Sequence, residues 1–362
     1  MKLSTILTTL IMLSAILQSC IEKRSGEGAD DKVKFITQAS FPKQRELQFV
    51  ETNTQLGAVL DLAVIDTFLV KSDLRDSIII HIYGLQSKKL IKKLLLRGVE
   101  KNECLSVSSI LPTTKKDEFW CADITLRKLI KINISQALKN EEYIPEKEIV
   151  LKNSIKGIKS VSWICDTLFV ATTYAEPVKR LIYFNDQSEI VNKSGELPIY
   201  DSANWPTENA NSAFFIRAMA YSANVKHNPE RNRSVVACTT TDRIDFFNGT
   251  QPLLSIQGPD RFNPHFVFRN EGKSYTPVPD KNTKFAYMGM SASKNAIYCL
   301  YSGENEMMTC GTKILEYDWY GNAKALYTIK ENYCTIAIEE GDEKRKIWSV
   351  NPSNGKLIYA NL

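Results

Sequence analysis

Three histidines in 362 residues, no C-x-x-C pair and no H-E-x-x-H leave little from which a zinc site could be assembled. The G-x-S-x-G elbow, the glycine-rich phosphate loop and the EF-hand loop are all missing, which removes the local signatures of serine hydrolases, P-loop nucleotide enzymes and calcium-loop proteins. A dyad built from distant segments would leave no such trace. Charge of one sign is not in excess: 46 Lys and Arg stand against 41 Asp and Glu, a formal net charge of +5 with no basic run, which argues against a nucleic-acid partner. Long helical periodicity is absent too, apart from a possible turn around residues 135–140. The apolar fraction (43%) and charged fraction (24%) are those of an ordinary globular chain, with enough length for a sizeable core.

The first twenty residues stand apart. Lys2 precedes an apolar stretch over residues 3–17, too short to span a bilayer, which ends in Leu17-Gln18-Ser19-Cys20. That ending resembles the lipobox of bacterial lipoproteins, and the resemblance implies cleavage before Cys20, acylation of its thiol and stable membrane attachment through several acyl chains. An ordinary signal peptide with an incidental cysteine is the alternative. Ile21 rather than an acidic residue follows Cys20, which by analogy favours delivery to the outer membrane, on its periplasmic or its cell-surface side. Residues 21–34 are rich in Gly, Glu, Lys and Asp and offer nothing to bury, as a tether would. The expected organisation is a signal peptide over 1–19, a lipidated tether over 20–40 and a single domain over 41–362.

Eight cysteines are present; if Cys20 carries lipid, seven remain and at least one is unpaired within a monomer. Cys121, Cys238 and Cys299 fall in apolar stretches, where cysteine behaves as a small hydrophobe. Cys299 and Cys310 flank one predicted hairpin turn and are candidates for a bridge.

What the chain has in quantity is one repeated phrase. Asp166-Thr167-Leu168-Phe169-Val170-Ala171-Thr172-Thr173, then a polar turn, then Lys179-Arg180-Leu181-Ile182-Tyr183-Phe184, reads as a buried strand, a turn and a second strand entered through a basic residue. The phrase returns around residues 66–83, 118–132, 234–247, 296–317 and 346–360, each copy preceded and followed by a further short strand. Phe215 through Ala220 is expected to be the first strand of the fourth copy. Repeats about 50 to 65 residues apart, each supplying four short strands, are the pattern of a β-propeller with long loops. The last copy is one strand short, while residues 45–50 alternate polar and apolar side chains with no partner nearby. Pairing the two closes a ring and hides both open edges. A β-sandwich pair or a β-helix would leave both ends unexplained. The expectation is therefore all-β, a six-bladed propeller closed by an N-terminal strand on the C-terminal blade.

The segment Lys313-Ile314-Leu315-Glu316-Tyr317-Asp318-Trp319-Tyr320-Gly321-Asn322, after a strand ending in Tyr301-Ser302-Gly303, resembles the blade pattern of six-bladed propellers of the TolB-like and NHL type. With the lipobox, the whole is similar to the TolB-like propeller lipoproteins abundant in Bacteroidetes. The resemblance implies a fold and an envelope address; that family carries no common activity to transfer.

Candidate residues fall into three sets. A cation opens the third strand in five copies, Lys128, Arg180, Arg243, Lys313 and Lys356; these would form a basic rim able to attract an acidic ligand, or would simply suit a solvated strand start. Asp73, Asp123 and Asp242 follow the second strand, where a carboxylate serves a metal-dependent propeller hydrolase or, more simply, closes a turn on its own backbone. Two long insertions, 201–211 and 258–284, carry Trp205, Arg261, His265, Arg269 and Tyr275 on loops beyond ordinary length. With Arg217 they are the expected seat for a polyanionic or sugar ligand. No cofactor and no metal is called for. The sequence thus reads as a monomeric, lipid-anchored binding or interaction module whose partners are the membrane and an envelope protein or saccharide. The alternative is a hydrolase or lactonase with carboxylates and a divalent ion in the central channel.

Overall fold

The second strand of each repeat has a buried centre, and Glu118–Asp123 and Ala296–Tyr301 are buried at every position; such a strand needs cover on both faces. The computed structural model, which describes residues 33–175, 179–198, 205, 210–270, 272, 275–305, 310–341 and 345–362, supplies that cover from neighbouring sheets. Its N-terminal part holds three short strands, β1 (Val33–Phe35), β2 (Lys43–Glu46) and β3 (Val50–Gln55). Blade one is β4 (Val59–Ile65), β5 (Phe68–Asp73), β6 (Ile78–Gly84) and β7 (Leu90–Leu96). Blade two is β8 (Val107–Pro112), β9 (Glu118–Asp123), β10 (Lys128–Asn133) and, after helix α1 (Ile134–Lys139), β11 (Lys147–Val150). Blade three is β12 (Ile158–Cys165), β13 (Leu168–Thr173), β14 (Lys179–Asn185) and β15 (Ile190–Glu196). Helix α2 (Ala210–Ala220) leads into blade four, β16 (Ala223–Asn228), β17 (Arg233–Cys238), β18 (Arg243–Asn248) and β19 (Gln251–Gln257). A separate hairpin, β20 (Val267–Asn270) and β21 (Tyr275–Val278), precedes blade five, β22 (Tyr287–Ala292), β23 (Ala296–Tyr301), β24 (Gly311–Asp318) and β25 (Ala323–Tyr333). Blade six is β26 (Ile336–Glu340), β27 (Arg345–Val350), β28 (Lys356–Asn361) and β3.

The six first strands touch in a closed cycle, β4 to β8, β12, β16, β22, β26 and back to β4, so the ring expected from the repeats is complete. Its core is divided. Six apolar clusters each sit between two neighbouring blades, for example Trp120 and Leu111 of blade two with Phe169 and Val161 of blade three, and Leu62 and Leu69 of blade one with Trp348 and Leu357 of blade six. Burying one such large side chain contributes roughly 2–3 kcal/mol relative to leaving it in water, which is why the second and third strands carry the apolar signal. Residues 34–362 form one compact body.

Three expectations shift. The strand that closes the ring is β3, antiparallel to β28 with Ile358 opposite Glu51 and Tyr359 opposite Val50, not residues 45–50. Lys43–Glu46 instead adds a parallel outer strand to blade five along β25, while β1 extends blade four beside β19. The first strand of blade four begins at Ala223, because Phe215 to Ala220 lies in α2, where Ile216 and Ala220, one turn apart, are both buried. Cys310 bonds Cys334, and Cys299 is a buried free thiol. The lipobox segment and Cys20 lie outside the described residues. Among the described residues no helix is long and apolar enough to cross a membrane.

Candidate functional site

The strands within each blade alternate in direction, so the ring has two distinct faces. One face carries the connection from each blade to the next and the loops between second and third strands; we call it the entry face, because the inner strands begin there. The opposite face carries the tight turns between first and second strands.

Inner strands of four blades share one irregularity at that entry end: a register shift between Val59 and Asp61, Val107 and Ser109, Ile158 and Ser160, and Tyr287 and Gly289. A bulge re-aims side chains, and all four residues on its far side line a cavity of about 110 Å³ in the channel. Every blade contributes to its wall, with Leu60, Ser108, Asn224, Lys226, Met288 and Thr335 among the lining groups. Lys226 and Met290 also line a second space of about 310 Å³ toward the other face, bounded by Thr113, His227, Glu230 and Lys294.

Side chains of the inner strands also stitch neighbouring blades together. Asp61 accepts from Ile110 N–H at 2.7 Å and from its neighbour Leu62 N–H at 2.9 Å. Ser160 and Ser162 accept from Val225 and His227 N–H, and Ser291 from Ile338 N–H. Burial pushes the Asp61 carboxyl up, against the opposing pull of Lys226 across the channel and of the two N–H donors. Lys226, Asn224 and Ser109 have no side-chain hydrogen bond or ion pair among the described residues. His227 shares its Nδ1 with Ser234 Oγ at 2.9 Å and leaves Nε2 buried without a hydrogen-bond partner among the described residues; burial pushes its pKa down to about 4, so the ring is neutral at physiological pH.

The residues singled out in the sequence lie elsewhere on the entry face. The two insertions both connect one blade to the next, so they share that face, and they pack together: Trp205 meets Phe268 edge-on at 6.3 Å, and α2, which carries Arg217, lies against β21, which begins at Tyr275. His265 pairs with Asp280 at 3.4 Å. Arg261 stands apart, over the ring of Phe35 and donating to Ile36 O. None of the five lines the channel.

The cations of the expected rim have internal partners. Arg180 is 4% exposed and donates to Asp245 at 2.9 Å, to Tyr221 O and to Cys238 Sγ; Arg243 shares Asp245 at 2.8 Å. Lys128 donates to Val99 O and Glu100 O beside Glu148, Lys356 to Glu51, and Lys313 lies over Tyr301. Two of the recurrent aspartates close turns, Asp73 accepting from Arg75 and Asp76 N–H and Asp123 from Thr125 and Leu126, whereas Asp242 holds the start of the long insertion by accepting from Asp260, Arg261 and Phe262 N–H. Among the described residues no three His, Cys, Asp or Glu side chains gather as metal ligands would.

The channel residues leave only a faint signal in the sequence. Asp61 interrupts the apolar run Val59-Leu60-Asp61-Leu62-Ala63-Val64, and Lys226 sits in a strand otherwise half buried.

Fold and channel together define the class: a six-bladed β-propeller whose inner strands enclose a polar central seat. The chain matches the model of the TolB-like 6-blade propeller-like family over residues 40–341, and it belongs to that family. Among solved structures it is similar to a member of the DUF4221 family from Bacteroides vulgatus, with a TM-score of 0.54, 12% identity, and 88% of this chain and 98% of that one covered. It is also similar to a candidate exported protein of Bacteroides fragilis, with a TM-score of 0.52, 10% identity, and 91% and 99% covered. At such identities the likeness is one of fold. No curated protein matches the chain.

Proposed function

We propose that this protein is a lipid-anchored binding protein of the outer membrane that acts as a monomer and takes its ligand into the channel from the entry face. The observation that carries this reading is the smaller cavity: a polar seat built from all six blades, in which Lys226, Asn224 and Ser109 make no side-chain hydrogen bond or ion pair among the described residues. These half-buried groups face the cavity with their hydrogen-bonding capacity open to water or to a ligand. The insertions with Trp205, Arg217, His265 and Tyr275 share the entry face and would form its outer contacts, where an envelope saccharide or protein would first meet the ring. The Leu17-Gln18-Ser19-Cys20 sequence supports the anchor. A channel hydrolase finds less support, since Asp61 is the carboxylate of the smaller cavity among the described residues.

Two measurements test the reading. Cys20→Ser in the full-length chain should move the protein from the membrane pellet to the soluble envelope fraction; retention in the pellet would overturn the anchor. For the seat, Ser109→Trp should abolish the thermal stabilisation given by any compound that wild type binds in a metabolite and glycan screen. Hits that survive this substitution would move the site out of the channel.

A further inference from the structure

Asp61 and Lys226 come from blades one and four, which stand opposite each other in the ring, and both line the smaller cavity. They do not form an ion pair, since no N–O distance between them falls within 4.0 Å, yet each is fixed on a rigid inner strand. Asp61 is held by two backbone N–H groups, one to each oxygen; a carboxylate has about four acceptor sites, so each oxygen keeps capacity for a further donor. Next to Lys226 along β16 is Asn224, and next to Asp61 around the ring is Ser109, both without a side-chain hydrogen bond among the described residues. The seat therefore has a cationic side and an anionic side, each with a neutral hydrogen-bonding helper, and its formal charge sums to zero.

A lone anion would satisfy Lys226 and face Asp61 with like charge; a lone cation would do the reverse. A neutral sugar would leave two opposed charges desolvated without neutralising either. A molecule with a carboxylate and an ammonium a few bonds apart completes both. The cavity, about 110 Å³, has room for several water molecules and hence for a small amino acid. Resting on the reading that this cavity is the ligand seat, we propose that it recognises a zwitterion of the α-amino acid type, with the carboxylate on Lys226 and Asn224 and the ammonium on Asp61 and Ser109. Because Lys226 and Met290 also border the larger space, a ligand side chain has room to extend past them toward the opposite face.

The test uses isothermal titration of the mature protein at low ionic strength with glycine, L-alanine, acetate, methylammonium and glucuronate. The proposal expects glycine or L-alanine to bind at least tenfold more tightly than acetate or methylammonium. Lys226→Met should remove this preference and leave methylammonium the better probe, and Asp61→Asn should leave acetate the better probe. Acetate binding as tightly as L-alanine, or glucuronate displacing it, would overturn the zwitterion while leaving the channel as the seat. Failure of all five probes would overturn the zwitterion as well, and the Ser109→Trp screen then decides separately whether the channel binds anything. Lys226 makes no hydrogen bond or ion pair among the described residues and feels only the Asp61 charge across the channel, so an unfolding midpoint for Lys226→Met close to wild type confirms that lost binding is not lost folding.

Discussion

Asp245 illustrates how this ring treats charge. It is buried between blades three and four and pairs with two arginines, Arg180 at 2.9 Å and Arg243 at 2.8 Å, with Ser255 donating a third bond at 2.7 Å. Burial works to raise its carboxyl, but the two guanidinium groups hold it below the usual range. Removing one partner of a buried pair leaves the other uncompensated, so Asp245→Ala should cost about 3–5 kcal/mol in urea unfolding. A loss under 1 kcal/mol would mean that Arg180 reaches water. His227 titrates in the opposite sense. Its folded pKa is about 4 against an unfolded value near 6.5. Its contribution to stability is therefore complete above pH 6.5, shrinks as the pH falls toward 4, and changes no further below that. Unfolding midpoints of wild type and His227→Gln from pH 7.5 to 4 should converge as the pH drops; parallel curves would show that the fold leaves the pKa of the ring unshifted. Neither residue announced itself in the sequence. Burial of a histidine follows from what the neighbouring blade presses against it, and one chain read in isolation does not show its neighbours.

At the scale of elements, what was legible followed the burial. Second and third strands are covered on both faces, and their unbroken apolar runs gave them away. The closing strand was placed several residues early because Leu47 and Phe49 alternate with polar neighbours as a strand's side chains do. Leu47 is buried among the blade-five and blade-six side chains and Phe49 lies against Tyr333 at 4.7 Å, so the two anchor the crossing from one blade to the next. The strand that does close the ring, Val-Glu-Thr-Asn-Thr-Gln, is outermost and mainly solvated, so the hydrophobic effect left no mark on it. Phe215 to Ala220 reads as a strand for a related reason: a short apolar run suits a helix turn as well as a strand. The two N-terminal strands should therefore matter unequally. A chain starting at Leu47 keeps β3 and should fold cooperatively with a reduced melting temperature. A chain starting at Leu56 loses the outer strand of blade six together with the bonds from Asn351, Asn354 and Lys356 to Glu51, and should show no cooperative transition. Equal melting of the two chains would mean that the ring closes without β3.

For the whole molecule, the ring follows from repetition, whereas the site follows from circular neighbourhood. Asp61 and Lys226 are separated by half the ring in space and by three blades in sequence, and no local pattern links them. What topology does dictate is which loops share a face. With antiparallel blades, both long insertions, the Cys310–Cys334 bridge and the mouth of the smaller cavity fall on the entry face. The turns between third and fourth strands fall on the other. Access to the smaller cavity should obey this division. In a Cys165→Ser background carrying Met288→Cys, a small folded module inserted between Lys281 and Asn282 should slow modification of the new thiol several-fold. The same module inserted between Gln86 and Ser87, exposed residues of a turn on the far side, should leave the rate unchanged. Slowing from the far side alone would place the entrance at the larger cavity, and the insertions would then guard no opening.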